Sequence, residues 1–362
     1  MITKSPSQIF PGVHWAECKD KSAYGLTDAV EQAARNALDA LETTSFIAIG
    51  GGEKVFEYGD TSQVSYLAST RKSILSMLYG KYVEAGMIDL GATISELGID
   101  EAEGLLAVEK KATLRDLLIS SSGVYYPAGS PGGDMTGVPE RGSKTPGRYF
   151  HYNNWDFNVL GAAFEQLTGK SVFAAFAEDF AGPLALEDFD PKRQRMLGYR
   201  DQSRYLAYHF FLSGRDMARL GLLMSRGGRW GDKQLVPADW VRESTGMHVA
   251  ARDMLRPKPR VGGYSYLWWI PQVPEGKPWW QGAFVAAGHF GQFILVLPAL
   301  DMVFVNRRAV TDEQAIGRNQ GIFTEELPTV TMQDFLAVCD IFADAYPFYR
   351  STAFHRIADE KA

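Results

Sequence analysis

The sequence predicts an α+β fold: an antiparallel sheet flanked by helices, with an inserted and mostly helical lobe. Two short β-rich segments, 46–50 and 55–58, lie around three consecutive glycines and are typical of a hairpin. Strand-like residues return only near 264–270 and 284–305, and helical patterns dominate the stretch between. Because the early hairpin can bury its faces only by pairing with the late strands, both ends of the chain should contribute to one sheet.

The predicted helices begin or end at recognisable signals. In chain order they are 31–41, a helix that begins at Ser69, 155–167, a helix after Ser213 and a helix after Thr331. Serine and threonine at these starts can accept hydrogen bonds from first-turn N–H groups, and Gly169 ends the third helix. The helix that begins at Ser69 has little polar face, which predicts that it is buried.

The length and composition predict one compact catalytic unit of two lobes. The chain has 362 residues, of which 46% are hydrophobic, enough to bury a large core. We predict that residues 1–72 and 255–362 form the sheet lobe and that residues 73–254 form the helical lobe. A cleft between them would be the expected place for a small-molecule site.

Charge and composition argue against several partners. A net charge of −6 offers no basic surface for nucleic acid or an anionic membrane. No apolar run approaches the ~18 residues of a transmembrane helix, and residues 1–20 lack an apolar signal core, so a cytoplasmic location is expected. Cys18 and Cys339 are too few for a disulfide framework and are expected to be reduced.

The sequence contains a single Ser-x-x-Lys pair, Ser69 and Lys72. At the start of a helix this spacing places both side chains on one face, about one turn apart. A serine hydroxyl becomes a nucleophile when a neighbouring base takes its proton, and lysine can be that base when burial and nearby charge lower its pKa. The alternative is structural: Ser69 would cap the helix and Lys72 would be a solvated first-turn residue.

Two further segments favour the chemical interpretation. Tyr152 and Asn154 form the chain's single Tyr-x-Asn pair, directly before the predicted helix 155–167. His289-Phe290-Gly291 precedes the strand-like run 293–297, and Gly288 and Gly291 would let another backbone approach closely.

Ser-x-x-Lys, Tyr-x-Asn and His-x-Gly, in this order, resemble the serine β-lactamase and penicillin-binding-protein superfamily. The similar branch contains class C β-lactamases, lactamase-like esterases and 6-aminohexanoate-dimer hydrolases, and the resemblance covers roughly residues 45–310. It implies a β-lactamase/transpeptidase-like fold and a set of site roles. Ser69 would be acylated, Lys72 would be its base or would keep Tyr152 partly ionised, and Tyr152 would shuttle the proton. The remaining implied residues are the oxyanion-hole N–H groups of Ser69 and Gln292, and the substrate-binding Asn154, His289 and Gly291.

The third motif departs from the superfamily pattern, which usually has lysine where this chain has His289. Histidine is mostly neutral at pH 7, which argues against β-lactams and carboxylate-ended peptides and favours esters, or amides without that carboxylate. We therefore expect a serine hydrolase without metal or cofactor that forms an acyl-enzyme on a small ester or amide. The alternatives are a β-lactamase or D-amino-acid peptidase, and a non-catalytic relative that binds ligands in the same cleft.

Other motifs are incomplete. Gly169-Lys170-Ser171 suggests a phosphate-binding loop, but Phe164 stands where that motif requires glycine. There is no Gly-x-Ser-x-Gly nucleophile elbow, and the six histidines show no metal-binding spacing.

Overall fold

The computed structural model describes residues 9–130, 137–322 and 326–347. Its α-helices are α1 (Asp28–Asp39), α2 (Thr70–Glu84), α3 (Leu114–Leu118), α4 (Asn154–Thr168), α5 (Val172–Phe176), α6 (Gly214–Ser225), α7 (Ala238–Thr245), α8 (Asp312–Asn319) and α9 (Met332–Ala345). Its strands are β1 (Ser45–Gly50), β2 (Glu53–Gly59), β3 (Ser65–Tyr66), β4 (Arg195–Leu197), β5 (Ala207–His209), β6 (Phe211–Leu212), β7 (Arg229–Trp230), β8 (Lys233–Gln234), β9 (Val249–Ala250), β10 (Val261–Tyr264), β11 (Trp269–Pro271), β12 (Phe284–Gly288), β13 (Gln292–Leu297) and β14 (Met302–Arg307).

The main sheet has eight strands in the order β2-β1-β14-β13-β12-β11-β10-β9. Neighbouring strands are antiparallel, and the early hairpin joins the late strands through β1 and β14, with Ile47 opposite Val305. The predicted α+β fold, an antiparallel sheet covered by helices, is therefore confirmed. The predicted strand segment 264–270 is interrupted: residues 265–268 connect β10 to β11, and Leu267 adopts a left-handed backbone conformation there, with φ of 64°.

Helices cover both faces of the sheet. On one face, α1 and α9 pack over Phe46, which contacts the rings of Phe335 and Phe342 with centroid distances of 6.3 and 5.8 Å. On the other face, α6 packs closely on β14. Gly221 permits this approach, since a Cβ there would lie only 2.4 Å from a methyl carbon of Val303. Alternating strand residues thus supply two apolar clusters, one on each side.

The helix starts agree with their capping signals. Ser213 accepts from the N–H of Asp216 at the start of α6, and Thr331 forms a reciprocal capping box with Asp334 at the start of α9. The first helix begins at Asp28, three residues before the predicted start, because Thr27 accepts from the N–H of Val30.

The predicted division into lobes stays a prediction, and its outermost residues, 1–8 and 348–362, lie outside the described part. Two elements assigned to the helical lobe, α6 and β9, pack on or join the sheet. Within the described residues, no helix is both long enough and apolar enough to cross a membrane.

Candidate active site

A cavity of about 560 Å³ lies where the start of α2, the loop before α4 and the end of β12 meet. Its lining includes Ser69, Tyr152, Asn154 and His289. Lys72 lies behind this surface and is only 2% exposed. Three segments far apart in the chain therefore converge at one place, as the resemblance implied.

Ser69 stands at the first turn of α2 without capping it. Its side chain makes no capping hydrogen bond to the helix and lines the cavity beside Tyr152, whose pKa it lowers. The preceding residue, Ala68, has a left-handed backbone with φ of 48°, which is unfavourable for a residue with a Cβ and is typical of functional turns. This geometry is inconsistent with the structural alternative for Ser69.

Lys72 is buried between aromatic rings and next to two polar atoms. Its Nζ donates to Oδ1 of Asn154 at 2.6 Å and shares a hydrogen bond with the hydroxyl of Tyr152 at 2.7 Å. The same nitrogen lies 4.2 Å from the ring centroid of Tyr152 and 4.1 Å from that of Phe157. Burial, then the charges of Arg71 and Lys258, hold the pKa of Lys72 well below its usual range. Lys72 is thus not the solvated residue of the structural alternative.

Arg71 is a second buried cation beside this lysine, and the sequence analysis assigned it no role. It is 2% exposed, donates from Nη2 to Oδ1 of Asn158 at 3.0 Å, and its Cζ lies 4.4 Å from the ring centroid of Tyr208. No carboxylate in the described part of the chain forms an ion pair with it. Its position next to Lys72, in a helix with little polar face, is the sequence signal that could have identified it.

Tyr152 is held by packing on several sides. Its ring centroid lies 4.9 Å from that of Phe157 and 5.4 Å from that of Trp269. Burial raises the pKa of Tyr152 to about 12, although the hydrogen bond with Ser69 and the charge of Arg71 act in the opposite direction. The phenol is therefore protonated at neutral pH.

The loop that carries Tyr152 is fixed by Ser120, which the sequence analysis did not single out. The Ser120 hydroxyl donates to the backbone oxygen of His151 at 2.8 Å, and the N–H of His151 donates to the backbone oxygen of Ser120 at 2.9 Å. The N–H of Asn153 donates to the Ser120 hydroxyl at 3.2 Å. Ser120 lies within residues 45–310, which the superfamily resemblance covers, and it anchors the site loop.

The third motif is arranged differently from the expectation. His289 lines the cavity, but residues 289–291 form the tight connection between β12 and β13. Gln292, beyond that turn, is 0% exposed, and its side-chain oxygen accepts from Nε of Arg307 at 2.6 Å. Neither Gln292 nor Gly291 lines the cavity, because the turn carries the chain away from it into β13. The expected oxyanion-hole role of Gln292 and substrate-binding role of Gly291 stay predictions.

The end of β12 is the backbone that faces the cavity. Ala287, Gly288 and His289 contribute to the lining. A Cβ on Gly288 would stand only 2.4 Å from the backbone oxygen of Leu67 and 2.8 Å from Oγ1 of Thr70. Glycine therefore permits the close approach of this strand to the start of α2, as expected for Gly288.

The comparisons with known proteins agree with this arrangement. The sequence profile of the family described as Beta-lactamase matches residues 30–307. The chain belongs to the β-lactamase family. This family lies in the superfamily of serine β-lactamases and penicillin-binding proteins, so the chain is a serine β-lactamase-like hydrolase by membership. None of the curated proteins matches it significantly in sequence.

Several solved structures share the family fold. One is a Bacillus anthracis protein whose name gives it as a candidate 6-aminohexanoate-dimer hydrolase, with 21% identity, coverage of 87% of this chain and 81% of that chain, and a TM-score of 0.62. A mutant simvastatin synthase from Aspergillus terreus has 15% identity, coverage of 89% and 94%, and a TM-score of 0.61. A penicillin-binding protein from Bacillus halodurans has 15% identity, coverage of 85% and 98%, and a TM-score of 0.57.

Proposed function

We propose that this member of the β-lactamase family hydrolyses a small ester or amide through an acyl-enzyme on Ser69. One observation carries the proposal: Ser69 opens to the cavity beside Tyr152, whose hydroxyl is joined by a 2.7 Å hydrogen bond to Nζ of the buried Lys72. A serine placed beside a positioned base in this way is the general arrangement for nucleophilic catalysis.

In the proposed acylation step, neutral Lys72 is the base. As the Ser69 oxygen attacks the substrate carbonyl carbon, the serine proton passes to the Tyr152 oxygen and the phenol proton passes to Nζ of Lys72. The products are a tetrahedral oxyanion and a lysine ammonium, so charge balances. The ammonium then returns a proton through Tyr152 to the leaving group as its bond to carbon breaks, and water repeats the sequence to release the acid.

Protonation states favour this direction over the alternative in which Lys72 keeps Tyr152 ionised. A strongly lowered pKa makes Lys72 easier to deprotonate and a weaker partner for a phenolate, and the pKa of Tyr152 is raised rather than lowered. The tyrosine therefore acts as a relay that need not ionise in the resting enzyme.

The oxyanion would be stabilised at the start of α2. The backbone N–H of Ser69 is one proposed donor, and one donor of this kind is typically worth about 3 kcal/mol. We propose the cavity-facing end of β12 as the source of the second donor, in place of Gln292, because it lies beside Ser69 across the narrow Gly288 contact.

A fluorophosphonate label followed by intact-mass measurement tests the nucleophile. We expect one adduct on the parent protein, none on Ser69→Ala and an undiminished adduct on Ser73→Ala. Ser73 is the matched control because it lies in the same helix, one turn later, and its hydroxyl donates to the backbone oxygen of Leu267 at 2.7 Å. No adduct on the parent protein would instead support a non-catalytic ligand-binding relative.

A substrate panel then tests the bond that is cleaved. We expect turnover of nitrophenyl esters or simple amides to exceed turnover of a chromogenic cephalosporin and of D-alanyl amides. Preference for either of the last two would establish a β-lactamase or a D-amino-acid peptidase in place of the proposed activity.

A further inference from the structure

The permanently charged side chains that line the cavity all have the same sign. They are Arg256, Lys258 and Arg318, and no Asp or Glu is among the described residues that line it. The whole chain has 43 acidic and 37 basic residues and is therefore net negative, whereas the charged residues that line the cavity are positive. A cavity lined by one sign of charge concentrates ligands of the other sign.

These cations lie on two sides of the cavity. Nζ of Lys258, in the segment between β9 and β10, lies 4.5 Å from the ring centroid of Trp269 and 5.5 Å from that of Tyr152. Cζ of Arg318, in α8, lies 5.3 Å from the ring centroid of Phe290. Aromatic faces thus hold both cations at the lining, one of them on the Tyr152 side and the other beside the end of β12.

No carboxylate among the described residues neutralises the two arginines. In residues 9–130, 137–322 and 326–347, neither Arg256 nor Arg318 forms an ion pair with a carboxylate. Several cations at one cavity repel each other, and an anionic ligand would relieve that repulsion.

We infer that the cavity selects substrates that carry a carboxylate, which Arg256, Lys258 and Arg318 attract and hold while Ser69 attacks the ester or amide. This inference rests on the proposed function and deepens it. It reverses the expectation drawn from His289, since the positive charge absent at that position is supplied by the β9–β10 segment and by α8. His289 itself stays uncharged at pH 7, because burial against the lining and the charge of Arg318 lower its pKa.

The inferred anion would also act on the base. The charge of Lys258 is one of the causes that lower the pKa of Lys72. A carboxylate bound beside Lys258 would offset that charge and make Lys72 a stronger base once substrate is present. Recognition and proton transfer would therefore be coupled through Lys258.

Matched ester pairs test the inference on either side of the scissile bond. Phenyl butyrate and 3-carboxyphenyl butyrate differ by a carboxylate on the leaving group, and 4-nitrophenyl pentanoate and mono-4-nitrophenyl adipate differ by one on the acyl group. We expect kcat/KM for the carboxylate member of at least one pair to exceed that of its neutral partner by about tenfold, equivalent to about 1.4 kcal/mol. The preference should shrink as sodium chloride is raised, because salt screens exposed charges.

Charge-removing variants locate the effect. Lys258→Gln and Arg318→Gln should each lower the ratio of carboxylate to neutral kcat/KM, and Lys233→Gln, an exposed lysine of β8 outside the lining, should leave it unchanged. Hydrolysis that depends on Ser69 but shows no carboxylate preference, or a preference that survives both variants, would overturn the inference while the proposed function stands.

A binding measurement separates the two failures. Calorimetric titration of adipate into the parent protein and into Ser69→Ala should show binding that Lys258→Gln weakens at least several-fold. If no ester is hydrolysed and the fluorophosphonate does not react, the proposed function fails. The adipate titration still tests the carboxylate site in that case, and absence of adipate binding would overturn the inference.

Discussion

Replacement of Lys72 by methionine tests the proposed relay most directly. Methionine keeps a similar length and removes the amine, so Tyr152 loses its 2.7 Å partner and the Asn154 Oδ1 loses its 2.6 Å donor. Loss of a general base typically costs a hundredfold to ten-thousandfold in rate, which corresponds to about 2.7 to 5.5 kcal/mol of transition-state stabilisation. We expect a fall in kcat/KM of at least about a hundredfold in Lys72→Met.

The pH dependence gives the same prediction a sign. A base must be deprotonated to act, so the parent's kcat/KM should rise with pH through the pKa of Lys72, and this acidic limb should lie far below the 10.5 of an ordinary lysine. Residual activity of Lys72→Met should lack that limb. The assay is initial-rate hydrolysis of a nitrophenyl ester from pH 5 to 9, corrected for spontaneous hydrolysis, with Lys233→Met as control.

The contribution of Lys72 to stability should fall, as activity does, when pH is lowered. The unfolded chain binds a proton at Lys72 up to about pH 10.5, whereas the folded protein releases it at lower pH, so the cost that this lysine imposes on the fold is largest below the folded pKa and fades as pH rises to about 10.5. Methionine removes that cost but also loses two hydrogen bonds of about 1 kcal/mol each. The Tm of Lys72→Met relative to the parent should therefore fall as pH rises from 7 to 10.5. Activity within tenfold of the parent, or a Tm difference independent of pH, would refute the reasoning.

Three other variants extend the test. Tyr152→Phe keeps the packed ring and loses the relay hydroxyl, so kcat should fall at least about a hundredfold with little change in Tm; near-parental rates would remove the phenol from the mechanism. Arg71→Met removes one of the charges that lower the pKa of Lys72, so the acidic limb of kcat/KM should move to higher pH, while Arg71→Lys should restore it; an unmoved limb contradicts the role given to Arg71. Gly288→Ala places a Cβ 2.4 Å from a backbone oxygen and should lower both kcat and, by about 1–3 kcal/mol, stability. Its control is Gly182→Ala, because an added Cβ there would lie 3.5 Å from its nearest atom and φ is −65°. Equal Tm values for Gly288→Ala and Gly182→Ala would contradict the close approach of β12 to α2.

Local interactions explain the predictions that succeeded. The capping of α6 by Ser213 and of α9 by Thr331 depends on residues within three positions, which sequence displays directly. The spacing of Ser69 and Lys72 places them about one helical turn apart wherever the helix lies. Strand pairing between β1 and β14 was also predictable, since an early hairpin with two apolar faces needs late partners.

Sequence patterns do not show which residues reach the cavity where a turn or a distant contact decides it. Gln292 is two residues from cavity-lining Phe290, yet the connection at 289–291 carries it into β13 and away from the cavity. Arg318 and Lys258 reach the cavity from α8 and from the β9–β10 segment, and no motif links either of them to Ser69 in the sequence.

The sequence by itself determined the fold class, the capped starts of α6 and α9 and the spacing of Ser69 and Lys72, because each depends on side-chain periodicity or on neighbours a few residues away. Only the tertiary structure decided that the pKa of Lys72 is lowered, that the pKa of Tyr152 is raised and that the charged residues lining the cavity are cations. These properties depend on burial and on charges contributed by segments up to about 250 positions apart in the chain, such as Ser69 and Arg318. Electrostatic energy depends on distance in space and on the exclusion of water, and neither is a property of sequence spacing.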